Sequence, residues 1–120
     1  MRPGRLTERS DFVRCYDAGR KLFSRAFVLF ALERKDALPA WRMGLAVTKK
    51  VGNAVWRNRI KRLVREVFRL NADAVPQGFD LVVVPKRGID PRRLTYVQVA
   101  GELTALFPVL ISGPARGKGR

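Results

Sequence analysis

At 120 residues, 47% of them hydrophobic, the chain is one domain's worth of sequence, long enough to bury a core without metals or disulfides. A single cysteine excludes an intramolecular disulfide, and the longest apolar run, residues 26–32, falls far short of the roughly 20 residues of a membrane helix, so a cytoplasmic protein away from membranes is expected. The net charge of +15, from 25 Lys and Arg against 10 Asp and Glu, predicts a polyanionic partner, with nucleic acid ahead of an anionic membrane surface.

In chain order, "LTERSDFVRCYDAGRK" predicts a first helix of about three turns, with Thr7 as N-cap, Glu8 and Asp11 in its opening turns and Gly19 at its end. "LFSRAFVLFALE" is β-rich. Period 2 groups Phe23, Phe27 and Leu29 on one side and Val28, Phe30 and Leu32 on the other, as one interior strand or two short ones around Ser24. "RKDALPA" reads as a loop or hairpin connection, and "WRMGLAVT", alternating Met43, Leu45 and Val47, as the next strand. Gly52 and Asn53 mark a turn and an N-cap before a helix of about four to five turns, which "NADAVPQG" closes.

The continuous run "FDLVVVP" predicts a strand buried on both faces. "GIDPRRLTYVQVAGELTALF" opens with Asp90 as N-cap and Pro91 at the first helical position, then repeats Leu94, Val97, Leu103 and Leu106 as a third helix. Residues 1–111 are expected to form the domain and residues 112–120 a basic disordered tail. The order α-β-β-β-α-β-α indicates the α+β class: a single-domain sandwich with one open four-stranded sheet and a parallel crossover around the basic helix.

That helix lies in "KKVGNAVWRNRIKRLVREVFR", residues 49–69, where eight basic residues meet one acid, Glu66. At about 100° per residue, Arg57, Arg59, Lys61, Arg62, Arg65 and Arg69 share one side, and Trp56, Ile60, Leu63, Val64 and Val67 the other. Glu66 is spaced i,i−4 from Arg62, which it would orient. Arginine's planar fork matches two phosphate oxygens, and a merely solvated face would mix the signs of charge. Gly52 reads either as a plain turn glycine or as an opening for a phosphate at the helix N-terminus.

Protein-based phosphodiester chemistry finds little support in the residues. There is no histidine, and the acids are scattered rather than clustered for metal ions. Cys15 has no histidine base and reads as an interior helix residue. Binding is therefore expected, with any catalysis supplied by the partner. An RNA-binding subunit whose partner supplies any catalysis and a structural RNA-binding protein both satisfy this pattern, and a protein nuclease or DNA-binding module satisfies it poorly.

The segment "VTKKVGNAVWRNRIKRLVREVF" closely resembles the signature of the bacterial ribonuclease P protein component, centred on Arg57, Asn58 and Arg59. "SDFVRCYDAG", "RAFVLF" and "LTY" extend the likeness over roughly residues 6–107. The resemblance implies an α/β sandwich whose strand-helix-strand crossover is left-handed, against the usual rule. It also implies a catalytic RNA as partner, Mg²⁺ held mainly by RNA and substrate, and removal of the 5′ leader from precursor tRNA, with no DNA expected.

By the same resemblance, Lys49, Lys50, Arg57, Asn58, Arg59, Lys61, Arg62 and Arg65 would contact the catalytic RNA. Phe12, Tyr16 and Phe30 would line a cleft, between the first helix and the sheet, that receives the single-stranded leader. Spacing alone reads Phe12 and Tyr16 as core, and the resemblance moves Phe12 and Phe30 toward stacking on unpaired nucleotides. After the last strand, "VVVPKRG" departs from the family's commoner Ala-Arg. Pro85 is placed to end the strand early, with Lys86 or Arg87 standing in for the arginine.

Overall fold

A computed structural model describes residues 4–34 and 40–112, so most of the expected connection between strands and the tail from residue 113 lie outside the described residues. The chain runs β1 (Gly4–Arg5), α1 (Arg9–Ala18), β2 (Arg20–Phe23), β3 (Phe27–Glu33), β4 (Arg42–Leu45), α2 (Ala54–Leu70), β5 (Phe79–Pro85) and α3 (Tyr96–Ser112). The strands form one sheet in the order β1-β4-β5-β3-β2. As expected, α2 joins two parallel neighbours, β4 and β5, while β3 is antiparallel to both β5 and β2.

The sheet has five strands rather than four. β1 is two residues long, too short to show a period, and it pairs parallel to β4 through Gly4 N to Trp41 O and Leu6 N to Met43 O, each 3.0 Å. Pro85 does not end β5 early. It pairs with Phe27, and Lys86 N still donates to Ala26 O at 2.8 Å; the missing proline N–H falls on the side where β4 has already ended.

The helices divide the sheet's faces between them. Ile60, Val64, Val67 and Phe68 of α2 join Val99, Leu103 and Phe107 of α3 in the main core, over Phe27, Leu29, Leu81 and Val83. Phe68 lies 5.5 Å from Trp41 and 5.6 Å from Phe107, centroid to centroid, in the tilted and edge-on arrangements that aromatic rings favour. On the opposite face Leu6, Cys15 and Val82 form a smaller cluster, with Phe12, Phe30 and Leu32 packed against it.

One face assignment is corrected. Phe23 pairs with Val28, so it lies on the α1 side with Phe30, not with Phe27 and Leu29. Residues opposite each other in an antiparallel pair point the same way, so the turn between β2 and β3 resets the parity that a continuous period carries through.

The helix ends follow local chemistry with two differences. Glu8, not Thr7, precedes α1 and makes no side-chain cap, while Gly19 ends the helix as expected. Asp90 and Pro91 start a separate 3₁₀ turn, Pro91–Arg93; Leu94 is extended, and α3 begins afterwards with Thr95 Oγ1 accepting from Gln98 N at 3.2 Å. Asn53 caps α2 as expected, Oδ1 accepting from Trp56 N at 3.2 Å. Gly52 before it has φ 153°, a region glycine enters without strain.

Candidate nucleic-acid interface

Burial of Ile60, Val64, Val67 and Phe68 fixes the rotation of α2 on the sheet and sends its arginines outward. Asn58, Arg62 and Arg65 are exposed, Arg57 and Lys61 half-buried, and Lys49 and Lys50 are exposed on the turn that leads into the helix. Arg57 folds back, Nη1 donating to Gly52 O at 3.4 Å. The chain entering the sheet at β1 adds Arg5, a cation that the helical pattern could not reveal. Burial, then the charge of Arg5, lowers the pKa of the Arg65 guanidinium, so the two cations share this side of the molecule.

Arg59 sits on the flank of this face. Its Nε donates to Pro91 O at 3.3 Å and its Nη2 to Leu94 O at 2.7 Å, tying α2 to the turn before α3. Glu66 pairs with Arg69, Nε to Oε1 at 3.0 Å, and not with Arg62 as expected. Both spacings are open on a helix, and the acid N-terminal to its base is the better arranged pair.

The three expected cleft aromatics come together on the other face. The rings of Tyr16 and Phe30 meet edge to face at 4.9 Å between centroids, and Lys21 Nζ lies 5.5 Å from the Phe30 centroid. Phe12 lies over Gly44, where an added Cβ would stand 2.6 Å from Phe12 Cζ; the sheet is bare at that point so that the ring can seat. Tyr16 remains 41% exposed, enough to offer a ring edge to a ligand.

One end of the cleft is closed by charges. Buried Asp80 accepts from Arg42 Nε at 2.8 Å and Nη2 at 2.7 Å, Arg34 approaches it at 3.9 Å, and Arg42 approaches Asp11 at 3.9 Å. Arg14, also bonded to Asp11, lines a hollow of about 400 Å³ here with Arg34, Arg42 and Asp80. These residues are scattered through the sequence and carried no signal in it.

The ribonuclease P family model matches residues 1–110. A ribonuclease P protein component from Oleidesulfovibrio alaskensis is 59% identical over 106 residues, 88% of this chain and 85% of the relative. Among solved structures, the ribonuclease P protein from Thermotoga maritima gives a TM-score of 0.78 at 34% identity, covering 86% of this chain and 94% of that one. The protein from Staphylococcus aureus gives 0.76 at 30%, covering 88% and 94%.

The chain belongs to the ribonuclease P protein family. It is thereby the protein component of a tRNA-processing ribonucleoprotein, with the ribonuclease P RNA as its partner.

Cys15 Sγ sits 3.9 Å from Asp80 O; burial, then the Asp80 carboxylate, pushes the thiol up to about 11, which keeps it protonated near neutrality. Among the described residues no three His, Cys, Asp or Glu gather where they would hold a metal ion. Among the same residues no helix is long and apolar enough to cross a membrane.

Proposed function

We propose that this ribonuclease P protein binds the catalytic RNA through α2 and the precursor leader through the cleft under α1, supporting removal of the 5′ leader. The observation that carries the reading is the placement of two unlike surfaces on opposite faces of one sheet: an arginine-rich helix face, and an aromatic cleft flanked by lysine.

Lys49, Lys50, Arg57, Asn58, Arg59, Lys61, Arg62 and Arg65 contact phosphates and sugars of the catalytic RNA. Arginine forks hold two phosphate oxygens at once, and their seat on a packed helix means that little side-chain order has to be bought on binding. Arg59 retains three further N–H groups for RNA after its two carbonyl bonds, out of the five a guanidinium carries. Phe12, Tyr16 and Phe30 receive unpaired leader bases.

Phosphodiester hydrolysis takes place on the RNA, with Mg²⁺ held mainly by RNA and substrate. The protein's part is electrostatic. Its +15 charge beside the junction of two polyanions offsets repulsion that divalent ions otherwise have to screen, which lowers the Mg²⁺ requirement. A cytoplasmic location follows from this reading.

Cleavage of precursor tRNA by RNA alone, protein alone and both together, over a Mg²⁺ series, tests it. Protein alone should be inactive, and the stimulation of a bacterial ribonuclease P RNA should be largest at low Mg²⁺ and shrink as Mg²⁺ rises. Metal-dependent cleavage by RNA-free protein would point to a protein nuclease, and no stimulation at any Mg²⁺ concentration to a purely structural RNA-binding role.

A further inference from the structure

The cleft face of the sheet continues past the three aromatics just described. Strand register lays out its rows: Gly44, Val82, Phe30 and Lys21 run across β4, β5, β3 and β2, and two residues further along come Val84, Val28 and Phe23. Successive same-face residues on a strand are about 7 Å apart, so Phe23 stands diagonally next to Phe30. Val84 and Val28 between them are half-buried.

Phe23 is 59% exposed on an edge strand, where a bare apolar ring invites misassociation. It carries a cation: Lys86 Nζ lies 5.5 Å from its centroid, matching the 5.5 Å of Lys21 over Phe30. The lysine is delivered by the same register, since Lys86 follows Val84 by two residues and its N–H bonds to Ala26 O. Arg25, two residues after Phe23, and Arg87, next to Lys86, are both exposed on the adjoining turns. An exposed aromatic ring with a lysine over it and exposed arginines on the adjoining turns has the chemistry of a seat for a base and its phosphates, and not of a protein-docking surface.

Resting on the leader-binding reading above, we infer that Phe23 and Lys86 form a second stacking platform, which takes a further unpaired nucleotide of the precursor leader beyond those held by Phe12, Tyr16 and Phe30. When the nucleotide enters, the Lys86 ammonium leaves the ring for the phosphate, and the base takes the ring face. The exchange is favourable because an exposed cation–π contact is weaker than base stacking.

The test uses the reconstituted holoenzyme and precursor tRNAs whose leaders are shortened one nucleotide at a time. Affinity is measured for wild type and for Phe23→Ala, Phe23→Leu, Phe23→Trp and Phe30→Ala. Wild-type affinity should rise with leader length in steps. Phe23→Ala and Phe23→Leu should both lose one such step, about tenfold, on leaders long enough to reach the ring, and Phe23→Trp should keep it.

If Phe23→Leu matches wild type at every length, the ring is only apolar cover and the inference is overturned. Loss by Phe23→Ala that is equal at all lengths overturns it as well. Phe30→Ala separates the two ideas. A loss of leader affinity there, with none at Phe23, removes the second platform alone; no leader dependence in wild type or in either variant removes the leader-binding reading beneath it.

Discussion

Two of the N–H donors of Arg59 are used inside the protein, on the carbonyl oxygens of Pro91 and Leu94. Lysine has one ammonium and cannot reproduce that fork. Arg59→Lys should therefore lower stability by roughly 1–2 kcal/mol as well as weaken RNA binding. Arg62→Lys, on the exposed part of the same helix, should change stability by no more than about 0.5 kcal/mol. Urea unfolding of the two variants checks this. Equal midpoints would mean that the carbonyl bonds contribute nothing and that Arg59 serves RNA alone. The residue scale thus separates arginines that a helical projection places together.

At the scale of elements, the edge of the cleft is held by a helix on the other side of the sheet. Glu102 of α3 accepts from Ser24 Oγ at 2.7 Å and from Ala26 N at 2.8 Å, and its second oxygen accepts from Gln98 Nε2 at 2.8 Å. The turn it grips joins β2 to β3 and supplies the carbonyl that Lys86 N bonds. Burial alone would raise the Glu102 carboxyl, but the bonds from Ser24, Gln98 and Ala26 outweigh it and hold it below its ordinary value of 4.5. A depressed folded-state value means that its stabilisation is present above pH 4.5 and is lost as pH falls through that lower value. Glu102→Gln should melt lower than wild type at neutral pH, by about 1 kcal/mol, and the gap should close in acid. Thermal melting across a pH series gives the answer, and a gap of constant size would show that the charge is irrelevant to the clamp.

For the whole molecule, the +15 charge is sorted by the fold. α3 contributes no base at all, the α2 face is rich in arginine, and the cleft has lysines beside aromatic rings. Binding to the catalytic RNA should consequently depend steeply on salt. Replacing Arg57, Arg62 and Arg65 by alanine should reduce the slope of log affinity against log salt by about one unit for each lost phosphate contact. Replacing Glu66, which pairs with Arg69, should leave the slope nearly unchanged. A filter-binding titration over several salt concentrations measures both, and an unaltered slope in the triple variant would remove α2 from the RNA interface.

What was legible in the sequence was local. The apolar stripe of α2, its Asn53 cap and the buried run of β5 are all written in residues a few positions apart, where period and cap chemistry act, and the order strand, helix, strand around α2 pointed to the parallel crossover. The Arg57-Asn58-Arg59 triplet identified the family for the same reason, being contiguous. What the tertiary structure decided depended on register and on partners far along the chain. The short β1 exists only because β4 offers it an edge, Phe23 changes face because a turn resets parity, and Asp80 is buried because Arg42, 38 residues away, is its neighbour across the β4–β5 pairing. Side-chain hydrogen bonds of this kind are chosen by which backbones lie adjacent, and adjacency is set by the closing of the sheet rather than by any local pattern.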